Sequence, residues 1–286
     1  MNLPYLTAEK IHLFIERALA EDVGEGDHST LASVPAEVVG KAQLIIKDRG
    51  ILAGVALAEQ IFKHLDQSLK VNILLQDGQA VKHGDVALIV AGSARSILTA
   101  ERLVLNCMQR MSGIATLTHQ YVQAIAHTHT KLLDTRKTTP NFRLMEKWAV
   151  YIGGGMNHRV GLYDMIMLKD NHIDYAGGIT QAIENAKNYL EYTQKKLKIE
   201  IEVRNLHEVE QVLATGGVDF IMLDNFSLPD LKEAVKLINK RIPTEASGGI
   251  DLQTVVPIAE TGVDFISIGA LTHSYKSLDM SLKAIR

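Results

Sequence analysis

The second half of the chain repeats one pattern at a nearly constant interval: a short apolar run, a polar residue or glycine, and then an amphipathic segment. The last four residues that end the apolar runs are Glu202, Asp224, Ser247 and Gly269, which lie 22, 23 and 22 residues apart. Repeated strand–helix units of this kind build parallel sheets, including (β/α) barrels. The interval therefore predicts an α/β fold whose strands all end at one edge.

The apolar runs predict six strands in this half, joined by helices. The predicted strands are residues 132–133, 165–168, 199–203, 220–223, 244–246 and 265–268, and the predicted helices are 179–192, 206–214, 228–239 and 252–260. Six strands are too few for a complete (β/α)₈ barrel, so the barrel is incomplete or another element closes it. An open doubly wound sheet is the alternative, but it gathers its site at one switch point, whereas here every predicted strand ends in a candidate functional residue.

The first 111 residues predict a separate α+β domain. A helix with apolar positions from Ile11 to Leu19 follows a Thr7 cap, and a second helix covers 56–65. Three strands are predicted at 42–46, 71–75 and 86–90. Ser93 should begin a long helix over 94–111, and Ser112-Gly113 marks the change to the barrel domain, 112–275. We expect a C-terminal helix, 276–286, to pack back on the first domain.

Composition narrows the class of protein. The 286 residues carry a net charge of −3 and one cysteine, Cys107, so nothing predicts a nucleic-acid or anionic-membrane partner or an internal disulfide. The first residues lack the basic start and apolar core of a secretory signal, and no apolar run has the length of a membrane span. We therefore expect a soluble cytoplasmic protein.

Cationic residues gather between Asp134 and His172. This segment holds six Lys or Arg against four Asp or Glu, a local excess in a chain of net −3. Arg136 and Lys137 directly follow a predicted strand in DTRKTTP, His158 and Arg159 follow three glycines, and Lys169 ends the next strand. Arginine forks and lysine point charges suit carboxylates and phosphates, although a lone basic turn is usually just solvated. Their placement at strand ends predicts an anion-binding site.

Carboxylates and glycines end the later strands. Glu202 and Asp224 end consecutive strands and suit Mg²⁺ or ribose hydroxyls, unless one of them simply pairs with a cation such as Lys169. Glu200 would face the same side as Glu202, which is preferred only because it lies nearer the strand end. Glycine-rich loops after late barrel strands commonly hold a phosphate. The candidates for this role are Ser247, Gly248, Gly249, Gly269 and Ala270.

Together these elements resemble the quinolinate phosphoribosyltransferase family. The resemblance runs through GDHST, SILTAERLVLNCMQRMSGIAT, DTRKTTP, GGGMNHRVGL, LKDNH, EIEVRN, MLDNF, EASGGI and ISIGALTHS, nearly the whole chain. It implies an N-terminal α+β open sandwich, a seven-stranded incomplete α/β barrel, and a homodimer with sites at the subunit interface. Many members have glycine after TTP, where this chain has Asn141, a residue that tolerates left-handed backbone.

The resemblance also implies a reaction: quinolinate and phosphoribosyl pyrophosphate give nicotinate mononucleotide, pyrophosphate and CO₂, with Mg²⁺, in NAD biosynthesis. Catalytic roles would fall to Lys137, Lys169, Glu202 and Asp224, and the metal to Glu202 and Asp224. Arg102 would reach the neighbouring subunit's site. The other substrate-binding residues implied are Thr135, Arg136, His158, Arg159, Ser247, Gly248, Gly249, Ser267, Gly269, Ala270 and His273.

Three other functions stay open from the sequence. A phosphoribosyltransferase for nicotinate or another monoacid would share most of the site, although several arginines exceed what one carboxylate needs. A Schiff-base aldolase would use Lys169 as its barrel lysine. A catalytically inactive relative could serve as a ligand sensor, although Lys169, Glu202 and Asp224 are all present.

Overall fold

A computed structural model describes residues 3–285, which form two compact units. The first comprises residues 3–119, 139–154 and 274–285, and the second residues 120–138 and 155–273. The helices are α1 (Ala8–Val23), α2 (His28–Ser33), α3 (Val55–Leu65), α4 (Ala94–Ala124), α5 (Arg143–Ile152), α6 (Asp170–Ala176), α7 (Ile179–Thr193), α8 (Leu206–Thr215), α9 (Leu228–Ile238), α10 (Val255–Ala259) and α11 (Ala270–His273). The strands are β1 (Val39–Ile46), β2 (Gly50–Ile51), β3 (Lys70–Ile73), β4 (Ala80–Val81), β5 (Val86–Ser93), β6 (Lys131–Leu133), β7 (Ile166–Leu168), β8 (Ile199–Val203), β9 (Phe220–Asp224), β10 (Thr244–Ser247), β11 (Phe265–Ser267) and β12 (Met280–Ala284).

The first unit has the α+β class that the sequence predicts for the start of the chain, but it also includes residues 139–154 and 274–285. Its antiparallel sheet has the strand order β12-β1-β5-β3, and β2 pairs separately with β4. Thr7 caps α1 through its hydroxyl, which accepts a hydrogen bond from the Lys10 amide, and Ile11, Ile15 and Leu19 are buried along one face. The predicted cap and apolar face of this helix are confirmed, because an N-cap hydroxyl and a 3.6-residue periodicity are both visible in sequence.

The helix after Ser93 does not end at residue 111. Ser93 accepts a hydrogen bond from the Ser96 amide, as its predicted capping role requires, but α4 continues unbroken to Ala124. Ser112 and Gly113 serve packing instead: the Ser112 hydroxyl accepts from the Ala53 amide at 2.8 Å, and a Cβ on Gly113 would overlap the carbonyl oxygen of Lys276. Small residues here mark a close approach of backbone rather than a helix end.

The predicted C-terminal helix is wrong. β12 pairs antiparallel with β1, with Leu282 opposite Leu44. Met280 and Leu282 are buried, whereas Ser281 between them is only half-buried. The apolar positions alternate with a period of two, which is the pattern of a half-buried strand. Arg286, the last residue of the predicted helix, lies outside the described residues.

The second unit holds a parallel sheet in the order β6-β11-β10-β9-β8-β7. All six predicted strands are present, and the helices between them confirm the α/β class. Where the resemblance implies a seventh strand, Met156 makes a one-residue parallel bridge to Leu133, with its amide donating to the Leu132 carbonyl at 2.8 Å. Among the described residues, the parallel ladder therefore consists of six strands and one bridge. No hydrogen bonds between these residues join its two edges, β7 and Met156, so the barrel is not closed.

Two helices that the sequence analysis missed lie beside the cationic segment. α5 follows DTRKTTP, and Asn141 just before it has φ +62°, as expected of an asparagine replacing glycine. α6 begins directly after Lys169, whose amide donates to His172 Nδ1 at 2.9 Å. No helix within residues 3–285 has the length and apolar character needed to cross a membrane.

Candidate active site

One pocket of about 710 Å³ lies within the second unit, at the carboxyl ends of its parallel strands. All of the site residues predicted from the sequence, Arg102 excepted, line it. They are Thr135, Arg136, Lys137, His158, Arg159, Lys169, Glu202, Asp224, Ser247, Gly248, Gly249, Ser267, Gly269, Ala270 and His273. Parallel strands bring their ends to one edge, which is why residues far apart in sequence meet there.

The loop after β6 carries Arg136 and Lys137 and is held at both ends. The Thr135 hydroxyl accepts a hydrogen bond from the Lys137 amide at 3.0 Å, and the Thr272 hydroxyl donates to the Lys137 carbonyl at 2.9 Å. A Cβ on Gly269 would lie 2.9 Å from Lys137 Cδ and 3.1 Å from His273 Nε2. Glycine at this strand end therefore lets the lysine and the histidine come close together.

The loop before β7 brings His158 and Arg159 to the same pocket. Asp134, which is fully buried, accepts from the His158 amide at 2.9 Å and from Asn157 Nδ2 at 2.6 Å. Two carboxylate–loop hydrogen bonds fix this segment onto the end of β6, so that Asp134 acts as an anchor for the loop.

Arg159 and Arg136 lie close enough for their charges to interact. Partial burial lowers the pKa of Arg159, the nearby Arg136 lowers it further, and Glu200 and Asp164 act in the opposite direction. Arg136 Nε is buried and has no hydrogen-bond partner among the described residues. Two guanidinium groups held together, one with an unused buried donor, form a site that an anion would stabilise.

Two carboxylates lie beneath His158: Glu200, which the sequence analysis set behind Glu202, and Glu245, which it missed. His158 Nε2 lies 2.7 Å from Glu200 Oε2 and 3.6 Å from Glu245 Oε2, and both glutamates are buried. Burial raises the pKa of Glu245 well above its ordinary value, and the neighbouring Glu200 raises it further. The three side chains could hold a metal ion by their geometry, but the 2.7 Å separation of His158 Nε2 from Glu200 Oε2 is that of a hydrogen bond.

Glu202 pairs with a cation, as one reading of the sequence allowed. Lys169 Nζ donates to Glu202 Oε2 at 2.8 Å, with the lysine side chain 44% exposed and the glutamate side chain 9% exposed. Glu200 and Glu202 lie on the same face of β8, and both of them contact pocket residues. Glu200 contacts His158, and Glu202 contacts Lys169. Asp224, half-buried at the end of β9, accepts from Asn225 Nδ2 at 2.7 Å.

The glycine loop after β10 does not lead directly into a helix. Gly248 and Gly249 have φ +105° and +57°, a path open mainly to glycine. The next helix, α10, begins at Val255 rather than at residue 252, because the Asp251 side chain accepts from the Gln253 and Thr254 amides and forms a turn. An anion at this loop would therefore meet backbone amides of the loop itself, not a helix N-terminus.

Arg102 is exposed on α4 in the first unit and is not among the residues that line the pocket.

Comparison with known proteins shows which family has this sequence and fold. Residues 27–112 match the N-terminal domain, and residues 114–283 the C-terminal domain, of quinolinate phosphoribosyl transferase. The chain belongs to the quinolinate phosphoribosyltransferase family. It is 50% identical over 284 residues to the chloroplastic nicotinate-nucleotide pyrophosphorylase [carboxylating] of Arabidopsis thaliana, covering 94% of this chain and 81% of that protein.

Two further members of the family extend the comparison. A probable nicotinate-nucleotide pyrophosphorylase [carboxylating] from Synechocystis is 45% identical, over 96% of this chain and 92% of the relative. The crystal structure of NadC from Streptococcus pyogenes superposes with a TM-score of 0.91 at 42% identity, covering 98% of this chain and 99% of that chain. The fold implied by the sequence resemblance is thus shared along the whole length of a quinolinate phosphoribosyltransferase family structure.

We expect the variant Glu245→Gln to change how stability depends on pH. A carboxyl with a raised folded-state pKa loses stability as the pH rises from its unfolded pKa, about 4.3, towards the folded value, because ionisation in the folded state costs free energy. Glutamine keeps the neutral shape and does not titrate. The free energy of unfolding should be measured with urea at a series of pH values. The value for the variant minus the value for the wild type should increase as the pH rises through this window.

The matched control is Glu191→Gln, at an exposed position of α7. Its unfolding free energy should run parallel to that of the wild type over the same pH range. Parallel curves for Glu245→Gln as well would show that the buried carboxyl is not held neutral.

Proposed function

We propose that the chain transfers the phosphoribosyl group of phosphoribosyl pyrophosphate to quinolinate, with loss of CO₂, to give nicotinate mononucleotide and pyrophosphate in NAD biosynthesis. Membership of the family supports the reaction. The observation that carries it at the level of residues is the division of one pocket into a cationic side, with Arg136 and Arg159, and a side of carboxylates and glycines, with Asp224 and Gly248.

The cationic side is proposed to bind quinolinate. Arg136, Arg159 and His158 would hold its two carboxylates, because charge-assisted hydrogen bonds from guanidinium and imidazole suit planar anions. Partial burial and the nearby Arg136 both lower the pKa of Arg159, so an anion bound between the two guanidinium groups would relieve their repulsion, and a dianion would do so more than a monoanion. Thr135 would contribute its hydroxyl at the edge of the same loop.

The opposite side is proposed to bind phosphoribosyl pyrophosphate. Glu202 and Asp224 would accept hydrogen bonds from the ribose hydroxyls, and the loops after β10 and β11 would hold the 5′-phosphate through backbone amides. The residues assigned to the phosphate are Ser247, Gly248, Gly249, Ser267, Gly269, Ala270 and His273. Both substrates then meet at the centre of the pocket, with the ring nitrogen beside ribose C1.

The chemistry follows from this arrangement. The bond from ribose C1 to pyrophosphate oxygen breaks while the bond from C1 to the pyridine nitrogen forms, so positive charge builds on the ribose and negative charge on the leaving group. Lys137 and Lys169 would stabilise the leaving pyrophosphate, and Glu202 and Asp224 the ribose. When the adjacent carboxylate leaves as CO₂, the electron pair of the broken bond stays on the ring carbon, where the neighbouring cationic nitrogen stabilises it, and that carbon then takes up a proton.

Magnesium fits the donors present. Asp224 and Glu202 offer carboxylate oxygens on adjacent strands, and Mg²⁺ is usually bound by one or two carboxylates together with substrate phosphates. When bound, the ion would neutralise charge on the pyrophosphate. Because Glu202 is already paired with Lys169, we assign the first contact to Asp224.

The alternative functions are less well supported by the pocket. A nicotinate-specific enzyme would leave part of the Arg136, Arg159 and His158 set without a carboxylate partner. A Schiff-base aldolase needs a lysine amine that is free to attack a carbonyl, whereas Lys169 donates to Glu202 at 2.8 Å.

The assembly and compartment are proposals as well. We propose a homodimer in which Arg102 of one subunit enters the pocket of the other, because this exposed arginine is absent from the pocket of its own chain. Leu162 and Tyr163, 71% and 65% exposed on the loop after Arg159, offer apolar surface for such a contact. The single free cysteine suits a cytoplasmic setting.

Arg136→Ala should weaken quinolinate binding on the order of 100-fold, because it removes charge-assisted hydrogen bonds to a carboxylate. Titration calorimetry with quinolinate alone measures the loss, and an unchanged melting temperature shows that the fold is intact. Lys195→Ala, at an exposed position after α7, is the control and should bind quinolinate normally. Near-normal affinity in Arg136→Ala would refute the assignment of the cationic side.

Mixing two inactive variants tests the role of Arg102. If sites are shared across the dimer, hybrids of Arg102→Ala and Lys169→Ala contain one intact site, so random mixing should restore roughly a quarter of wild-type activity. Hybrids of Arg136→Ala and Lys169→Ala have a defect in each pocket and should stay inactive. No recovery in the first mixture, once exchange of subunits is verified, would place Arg102 outside the site.

A further inference from the structure

Asn225 joins two strand ends that the proposed function assigns to one substrate. It directly follows β9, lines the pocket, and has φ +56°, which is uncommon for a residue other than glycine. Its amide donates to the Ser247 carbonyl at 2.9 Å, which ties the end of β9 to the end of β10. Asp224 and Ser247 are already paired in the parallel register, so this bond extends the ladder into the pocket by one residue.

The side chain of Asn225 contacts the carboxylate on one side. Its Nδ2 donates to Asp224 Oδ2 at 2.7 Å, between residues adjacent in the chain. The bond fixes the orientation of the carboxylate that we assign to the ribose and the metal, because a charge-assisted hydrogen bond restricts rotation of an otherwise mobile group.

The same side chain borders the glycine loop on its other side. A Cβ built on Gly248 would overlap Asn225 Oδ1 and Cγ, and would lie 3.0 Å from the Asn225 amide nitrogen. The asparagine therefore fills the space where any other residue at position 248 would place its side chain. Gly248 has φ +105°, so both backbone path and packing require glycine there.

We propose that Asn225 is a positioning residue for phosphoribosyl pyrophosphate, which sets the spacing between the Asp224 carboxylate and the backbone of Gly248 and Gly249. The proposal rests on the assignment of these groups to that substrate. In the substrate the ribose hydroxyls and the 5′-phosphate are joined by only a few bonds, so their separation varies within a limited range, and a ligand that touches both protein groups is sensitive to changes in the spacing of those groups.

A purely structural role for Asn225 predicts a different effect of substitution. If Asn225 served only to turn the chain after β9, glycine would replace it without loss, because glycine adopts the left-handed conformation more readily than asparagine. The comparison of glycine with asparagine at residue 225 therefore separates the backbone role from the side-chain role.

Asn225→Gly keeps the backbone conformation accessible and removes the amide. We expect the KM for phosphoribosyl pyrophosphate to rise about tenfold or more, as for the loss of a hydrogen bond to a charged group, with a smaller change in kcat. The dissociation constant of quinolinate, measured by calorimetry without the second substrate, and the melting temperature should stay at wild-type values.

Two further variants keep the test decisive. Asn225→Asp retains the shape but replaces the donor by a second carboxylate beside Asp224, so its KM for phosphoribosyl pyrophosphate should also rise, even if Asn225→Gly folds poorly. Asn239→Gly is the matched control, since Asn239 is exposed at the end of α9 with φ +50°. Its kinetic constants should equal those of the wild type.

A wild-type KM for phosphoribosyl pyrophosphate in either Asn225 variant would overturn the proposal, and so would an equal loss of quinolinate binding. Wild-type turnover of the two substrates, measured in the same assay, tests the proposed function separately. If the wild type turns over and Asn225→Gly matches it, only the role of Asn225 fails; if the wild type does not turn over, both fall together.

Discussion

Parallel pairing of six short strands places the carboxylates of the pocket and fixes the strand ends from which its cationic loops begin. The register aligns Glu202 with Met222 and Met222 with Glu245, so one row of side chains crosses β8, β9 and β10. Two residue pairs further on, and therefore on the same face, Asp224 lies beside Ser247. A shift of one residue in any strand would turn its row away from the pocket, because side chains alternate between the faces of a sheet.

Charge balance is the second requirement that the fold meets. Arg136, Arg159 and Lys169 would repel one another in a pocket without anions, and buried carboxylates offset part of that cost. Glu202 pairs with Lys169, Glu200 contacts His158, and Asp134 holds the loop that carries His158. Burial and the neighbouring Glu200 raise the pKa of Glu245, which disfavours a further negative charge in this cluster. The remaining positive charge on Arg136 and Arg159 is left for substrate.

The sequence predicts the residues at the strand ends well and the buried residues below the strand ends poorly. Polar residues or glycine at a regular interval identify Glu202, Asp224, Ser247 and Gly269, because consecutive βα units of similar length repeat along the chain. Glu245 escaped notice because a glutamate two residues before a strand end has no sequence signal separating it from a surface residue. Its flanking residues, Thr244 and Ala246, are both buried, which only the packing of both faces reveals.

Errors at the boundaries have equally local causes. Ser112-Gly113 has the composition of a turn, yet close contacts with Ala53 and Lys276 place it inside a helix. The role of Asn225 depends on contact with Gly248, which a different strand supplies, and no pattern within one segment encodes such a contact.

The most direct test of the account is the stoichiometry of the reaction. Purified protein should be supplied with quinolinate labelled at the 2-carboxylate and phosphoribosyl pyrophosphate, with and without Mg²⁺, and with nicotinate as a competing acid. The account predicts equal amounts of labelled CO₂, nicotinate mononucleotide and pyrophosphate, formed only when both substrates and Mg²⁺ are present. Preferential turnover of nicotinate, or nucleotide formation without release of CO₂, would contradict it.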